Sequence, residues 1–174
     1  MTLTDRSAEA DVERALFALL TEARAHAENA AGRVAWLRAH LRRESPERIE
    51  AYADAFESLL ERADRWPLFA VSLMVFDSRD PEVFRAFRAW VVSLGPEVYA
   101  AALEDPDALA EALAREAPQD PALLPVFRES FLEVTGRALP EPTLDLFGGP
   151  QGEPLLDSEL PVRFPRVAAA LRGH

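Results

Sequence analysis

Arg65, Trp66, Asp77, Asp80, Arg88 and Trp90 are the side chains best suited to form a binding site in this chain of 174 residues. A buried guanidinium requires a carboxylate, and a tryptophan ring offers the flat cation a stacking face. Arg88 stands one position after Phe87 and two before Trp90. On a helix that places it at the margin of an apolar stripe, from which it is expected to reach the turn from Asp77 to Asp80. A simpler reading of the same residues carries more weight: Arg65 or Arg88 ties the turn to a helix, and both tryptophans are core. Structural and functional ion pairs look alike in a sequence.

Other chemistries lack their parts. With no cysteine, there is no disulfide, thiolate zinc site, iron–sulfur ligation or cysteine nucleophile. All nineteen cationic residues are arginines, which removes a Walker A lysine, a Schiff-base lysine and a lysine general base. Codon composition in a GC-rich genome accounts most simply for that bias. His26 follows Glu22 by four residues, the spacing of a ligand pair, although a solvent face explains it more cheaply. His40 stands beside Arg42 and Arg43, where a helix-dipole role suffices, and His174 is the third histidine. No Gly-x-Ser-x-Gly turn, His-x-x-x-His pair or glycine-rich phosphate loop is present. No catalytic residue, metal ligand or cofactor is therefore expected.

Arg33, Arg38, Arg42, Arg43 and Arg48 form the one local excess of positive charge, but Glu44, Glu47 and Glu50 share the stretch and read as its solvated partners. A formal charge of -11, from 30 acids against 19 bases, disfavours nucleic acid as a partner. A protein partner suits that surface better. The polar residues from Met1 to Arg6 do not read as a signal peptide. The apolar run from Pro67 to Phe76 falls far short of the roughly 20 residues that span a bilayer. A soluble, cytoplasmic protein is the expectation.

The elements that must position these residues read as helices. Val12, Leu16, Leu19, Leu20 and Ala23 recur at threes and fours from Ala8 to Asn29, which predicts an amphipathic helix. Gly32 interrupts the pattern before a second helix with Val34, Leu37 and Leu41. Ser45-Pro46-Glu47 predicts a capped start for a helix burying Ile49, Tyr52, Ala53, Phe56, Leu59 and Leu60. Leu68 to Phe76 is apolar on every side, so it is read as a helix buried all round, although a buried strand would give the same run. Asp80-Pro81, Asp105-Pro106 and Asp120-Pro121 read as three capped helix starts, the last two opening helices over 108–115 and 123–135. Gly95 and Gly136 read as stops. From Pro140 onward, prolines and glycines exclude a long regular element. Leu144, Leu146, Phe147, Leu155, Leu156, Leu160, Val162 and Phe164 are expected to pin this arm, which ends in a short helix from Pro165 to Leu171.

Arg65-Trp66, Phe87-Arg88-Ala89-Trp90, Gly95-Pro96-Glu97-Val98-Tyr99 and Asp105-Pro106-Asp107 together resemble a bacterial family of unknown function, the one numbered 4240. The resemblance continues through Thr135-Gly136, Pro150-Gln151-Gly152-Glu153 and Phe164-Pro165. This chain departs from it at Pro67 and Phe69, where an aspartate and a tryptophan are usual, and at Leu155, near a position that is often tryptophan. It departs again at Phe76-Asp77-Ser78-Arg79-Asp80-Pro81, where relatives carry a Gly-Gly-Cys-Ser-Asp-Asp-like turn. The resemblance implies a fold and a lineage, with no activity to transfer.

The expected architecture is all-α: one domain over residues 1–174, a bundle of about eight helices. Its helical core covers 1–137, and a Pro/Gly-rich extended carboxyl-terminal arm covers 138–174. The expected role is a non-catalytic protein-binding or regulatory module. The alternative is a small-molecule sensor or enzyme with a pocket around Trp66, Asp80, Arg88 and Trp90.

Overall fold

The computed structural model describes residues 3–118, 121–140 and 149–172. Among them every regular element is helical, and the one β-type contact is an isolated parallel bridge between Arg65 and Gln151. Eight helices have eight or more residues, and two further ones are single turns. The chain divides into two compact units: Met1–Leu59 with Pro121–Thr143, and Leu60–Asp120 with Leu144–His174.

In the first unit, α1 (Leu3–His26) packs on α2 (Ala30–Leu41), and α2 packs on α8 (Val126–Thr135). The break between α1 and α2 lies before Gly32 rather than at it. Asn29 caps α2 by accepting from the Gly32 N–H at 2.8 Å, which places Gly32 inside the first turn. A Cβ at Gly32 would meet the Ala27 Cβ at 2.7 Å, so the close approach of the two helix ends requires glycine there. Of α3 (Pro46–Arg62), the part up to Leu59 belongs to this unit, and Ser45 opens it by accepting from the Arg48 N–H at 3.3 Å. Tyr52 and Phe56 of α3 meet Phe127 of α8 at ring separations of 6.4 and 5.2 Å. Arg38 and Arg42 of α2 pair with Glu129 and Glu133 of α8, so part of the arginine-rich stretch bridges helices instead of pairing with Glu44, Glu47 and Glu50.

Helix α8 begins later than the sequence suggests. Residues 121–125 form turns closed by i to i+3 bonds, such as Val126 N–H to Leu123 C=O at 3.2 Å. Pro125 explains the delay, because it disfavours helical backbone at the residue before it and is itself tolerated at a helix entrance. Asp120, the expected cap, lies outside the described residues. Gly136, with φ of 71°, ends the helix as expected.

The second unit begins with the end of α3 and continues through α4 (Trp66–Phe76), α5 (Pro81–Ser93) and α6 (Pro96–Glu104). The ambiguous apolar run is thus a helix. Leu68 to Ser72 are buried, whereas Leu73 to Phe76 are only half-buried, so just the first half of α4 is enclosed. Over the expected helix 108–115 the chain forms a 3-10 turn (Pro106–Leu109) followed by the single-turn α7 (Ala110–Leu113), with Asp105 accepting from the Asp107 N–H at 3.1 Å.

In the described part of the arm, a 3-10 turn at Asp157–Glu159 leads into α9 (Leu160–Arg163) and α10 (Pro165–Arg172). Gln151 is held on both sides, accepting from the Trp66 N–H at 2.9 Å and donating to the Asp64 C=O at 2.8 Å. Leu160 and Phe164 are buried pins, but Leu156 and Val162 are 66% and 83% exposed and pin nothing. Leu144, Leu146 and Phe147 lie outside the described residues.

Candidate functional site

Most of the six residues singled out by type are engaged in holding the second unit together. Arg88 is buried on α5; its guanidinium donates to the Leu60 carbonyl at 2.9 Å, lies 3.3 Å from the Asp64 carboxylate and covers the Phe84 ring at 4.7 Å. It therefore ties α5 to the end of α3 and the residues that follow, instead of reaching the turn from Asp77 to Asp80. Trp90 is 1% exposed and packs against Phe87, and Trp66 is half-buried and roughly perpendicular to the Phe69 ring. Arg65 is exposed and donates to the Arg62 carbonyl at 3.0 Å, at the entrance of α4. Asp80 caps α5, accepting from the Glu82 N–H at 2.8 Å.

Asp77 is the exception. It closes α4 in the left-handed region, with φ of 49° and ψ of 39°, the one non-glycine with positive φ among the described residues. Its backbone N–H bonds to the Leu73 carbonyl, while its carboxylate forms no hydrogen bond or ion pair with the described residues. Asp77 lines a cleft of about 430 Å³ walled by Leu73 and Met74 of α4, Leu160 and Pro161 of α9, and Ala168 and Leu171 of α10. Asp157 and Arg172 complete the lining. The volume falls within the range of about 300–1,000 Å³ found for ligand sites. Asp77, Asp157, Pro161 and Arg172 are exposed at the rim, and Ala168 and Leu160 are buried at the floor.

The walls are set by specific contacts. Asp107 is 5% exposed, and its carboxylate accepts from the N–H groups of Arg166 and Val167 at 3.1 and 2.8 Å, capping the start of α10 from some sixty positions away. Asp157 receives both of its bonds from Arg79, at 2.7 Å each, which fastens the 3-10 turn to the segment after α4. Both anchors escaped the reading of the sequence. Asp107 sits in a motif that reads as a local cap, and the pairing of Arg79 with Asp157 spans 78 positions. One local signal was available for Asp77: an acidic residue directly after an apolar helix occupies the end that favours glycine or a cation.

No group of three or more histidine, aspartate or glutamate side chains among the described residues could hold a metal ion. Nor is any described helix long and apolar enough to cross a membrane.

Fold and site together define an all-α protein with an apolar cleft bordered by charge. The chain belongs to the family described as "Protein of unknown function (DUF4240)", whose model matches residues 13–133. No curated protein and no solved structure matches it. The matched residues contain α4 and the turn with Asp77, and the remaining lining residues of the cleft lie beyond them.

Proposed function

We propose that this protein is a non-catalytic binding module that seats a short segment of a protein partner in the cleft between α4, α9 and α10. The observation that carries the reading is the cleft itself, an apolar floor with an open, charged rim. Openness favours a chain segment over a small molecule, which would be better held in an enclosed cavity. Leu156 and Val162, next in the chain to the lining residues Asp157 and Pro161, are strongly exposed apolar side chains. A small-molecule pocket around Trp66, Asp80, Arg88 and Trp90 has less support, because Trp90 is enclosed and Arg88 is held by Leu60 and Asp64.

A photo-crosslinking residue placed at Met74 in the full chain, expressed in its native cells, tests the proposal. The expected product is one specific protein adduct that is absent when the crosslinker is moved to Asp54. Leu171→Gln, checked for retained helicity, should remove most of that adduct. Equal labelling from Met74 and Asp54, or labelling untouched by Leu171→Gln, overturns the reading.

A further inference from the structure

We infer that the α4 end of this cleft is a cation subsite, which takes the ammonium or guanidinium of a lysine or arginine in the partner segment while its apolar neighbours cover Leu73, Met74 and Leu171. The inference rests on the reading of the cleft as a docking site for a protein segment, and it adds the chemistry of that segment. Asp77 combines two local penalties. Left-handed backbone is unfavourable for a residue with a Cβ, less so for aspartate than for most. A carboxylate at a helix carboxyl end also adds negative charge where unsatisfied carbonyls already supply it.

Neither neighbouring cation stands within ion-pair distance of Asp77. Arg79 directs its guanidinium to Asp157, and Arg172, although it lines the same cleft, forms no ion pair with Asp77. The wider surroundings reinforce the sign, since Leu60–Asp120 with Leu144–His174 contains sixteen acidic side chains against nine arginines. A cation brought in by a partner would relieve the charge repulsion at Asp77, and apolar side chains beside it would match the half-buried Leu73, Met74 and Leu171. A position that lowers stability locally and faces a cleft is where function is expected to compete with folding.

The test uses the full chain and a capped peptide with a neutral dye, in which four leucines flank one variable position occupied by lysine, norleucine or glutamate. Binding is read by fluorescence anisotropy at low and moderate salt. The lysine peptide should bind at least fivefold more tightly than the norleucine peptide, and glutamate should bind most weakly. Asp77→Asn should erase the lysine preference while raising the thermal midpoint by a degree or two, a combination that a purely structural aspartate would not give. Leu171→Gln should weaken all three peptides together, with Met74→Gln as the second variant should the first misfold. If the three peptides bind alike, if glutamate is preferred, or if Asp77→Asn keeps the lysine preference, the cation subsite is overturned and the apolar docking site stands. Absence of binding by every peptide, or binding that ignores both floor variants, overturns the subsite and the docking site together.

Discussion

Asp77 and Asp80 stand three residues apart in one turn and meet opposite fields. Asp80 precedes α5, where its side chain satisfies an amide hydrogen and its charge suits the positive end of the helix. Asp77 follows α4, where the field has the other sign and its carboxylate has no described partner. The same residue type is thus structural at one position and available at the other. The difference comes from helix polarity and from the cleft beside Asp77, since both side chains are exposed. Charged groups of the second unit sort on the same basis: Arg88, Asp107 and Asp80 are engaged with backbone groups, whereas Asp77 faces the cleft.

Substitutions should separate the two sets by sign as well as by size. Arg88→Ala should cost the most, about 2–3 kcal/mol by urea unfolding, because it removes packing against Phe84 and leaves the Leu60 carbonyl and Asp64 without their partner. The loss stays below that of a fully buried pair because the Asp64 side chain is 32% exposed. Asp107→Ala should cost about 2 kcal/mol, combining the loss of a helix cap with two amide hydrogens left in a buried setting. Hydrogen exchange would register it as faster exchange across α10 ahead of the rest of the unit. Asp80→Ala should cost about 1 kcal/mol, the usual value of an exposed cap, seen as a lower thermal midpoint. Asp77→Asn alone should move the midpoint upward. A drop in stability at Asp77 as large as that at Asp80 would erase the distinction between them.

Local chemistry made most of the helices legible. Ser45-Pro46 and Asp80-Pro81 each combine a side-chain acceptor with a residue preset for the first turn, and both start helices where expected. The spacing of Val12, Leu16, Leu19, Leu20 and Ala23 identified the inward face of α1, where Val12 is half-buried and the other four are buried. The misjudged boundaries arise where a second local rule competes. Pro125 delayed the helix that Asp120-Pro121 was read to open at 123, and Asn29 moved the helix break away from Gly32. At Leu156 and Val162 the error had another source, because hydrophobicity without periodicity does not say which apolar residues of an irregular segment are covered.

The candidate site was less legible for a physical reason that Arg88 illustrates. Its position on the stripe of α5 was readable, but several carboxylates were within plausible reach, and only the packed chain selects Asp64 and the Leu60 carbonyl. Family resemblance pointed to the block from Arg65 to Asp107, which is rich in aromatics because it builds core. The cleft draws on just one side chain of the expected six, Asp77, and takes most of its wall from the region after Asp157.

The amino-acid sequence alone determined the helical class, most helix starts and stops, the absence of cysteine and lysine chemistry, and membership in the family. Those properties depend on composition, on periodicity, and on interactions within a few residues. Tertiary structure decided which charges are engaged and which have no partner among the described residues. It set α10 on Asp107 and the turn at Asp157 on Arg79, and so gave the apolar end of α4 a cleft with a carboxylate at its edge. Contacts of that kind join positions far apart in the chain, and their partners are chosen by packing geometry, which residue types and spacing do not encode locally.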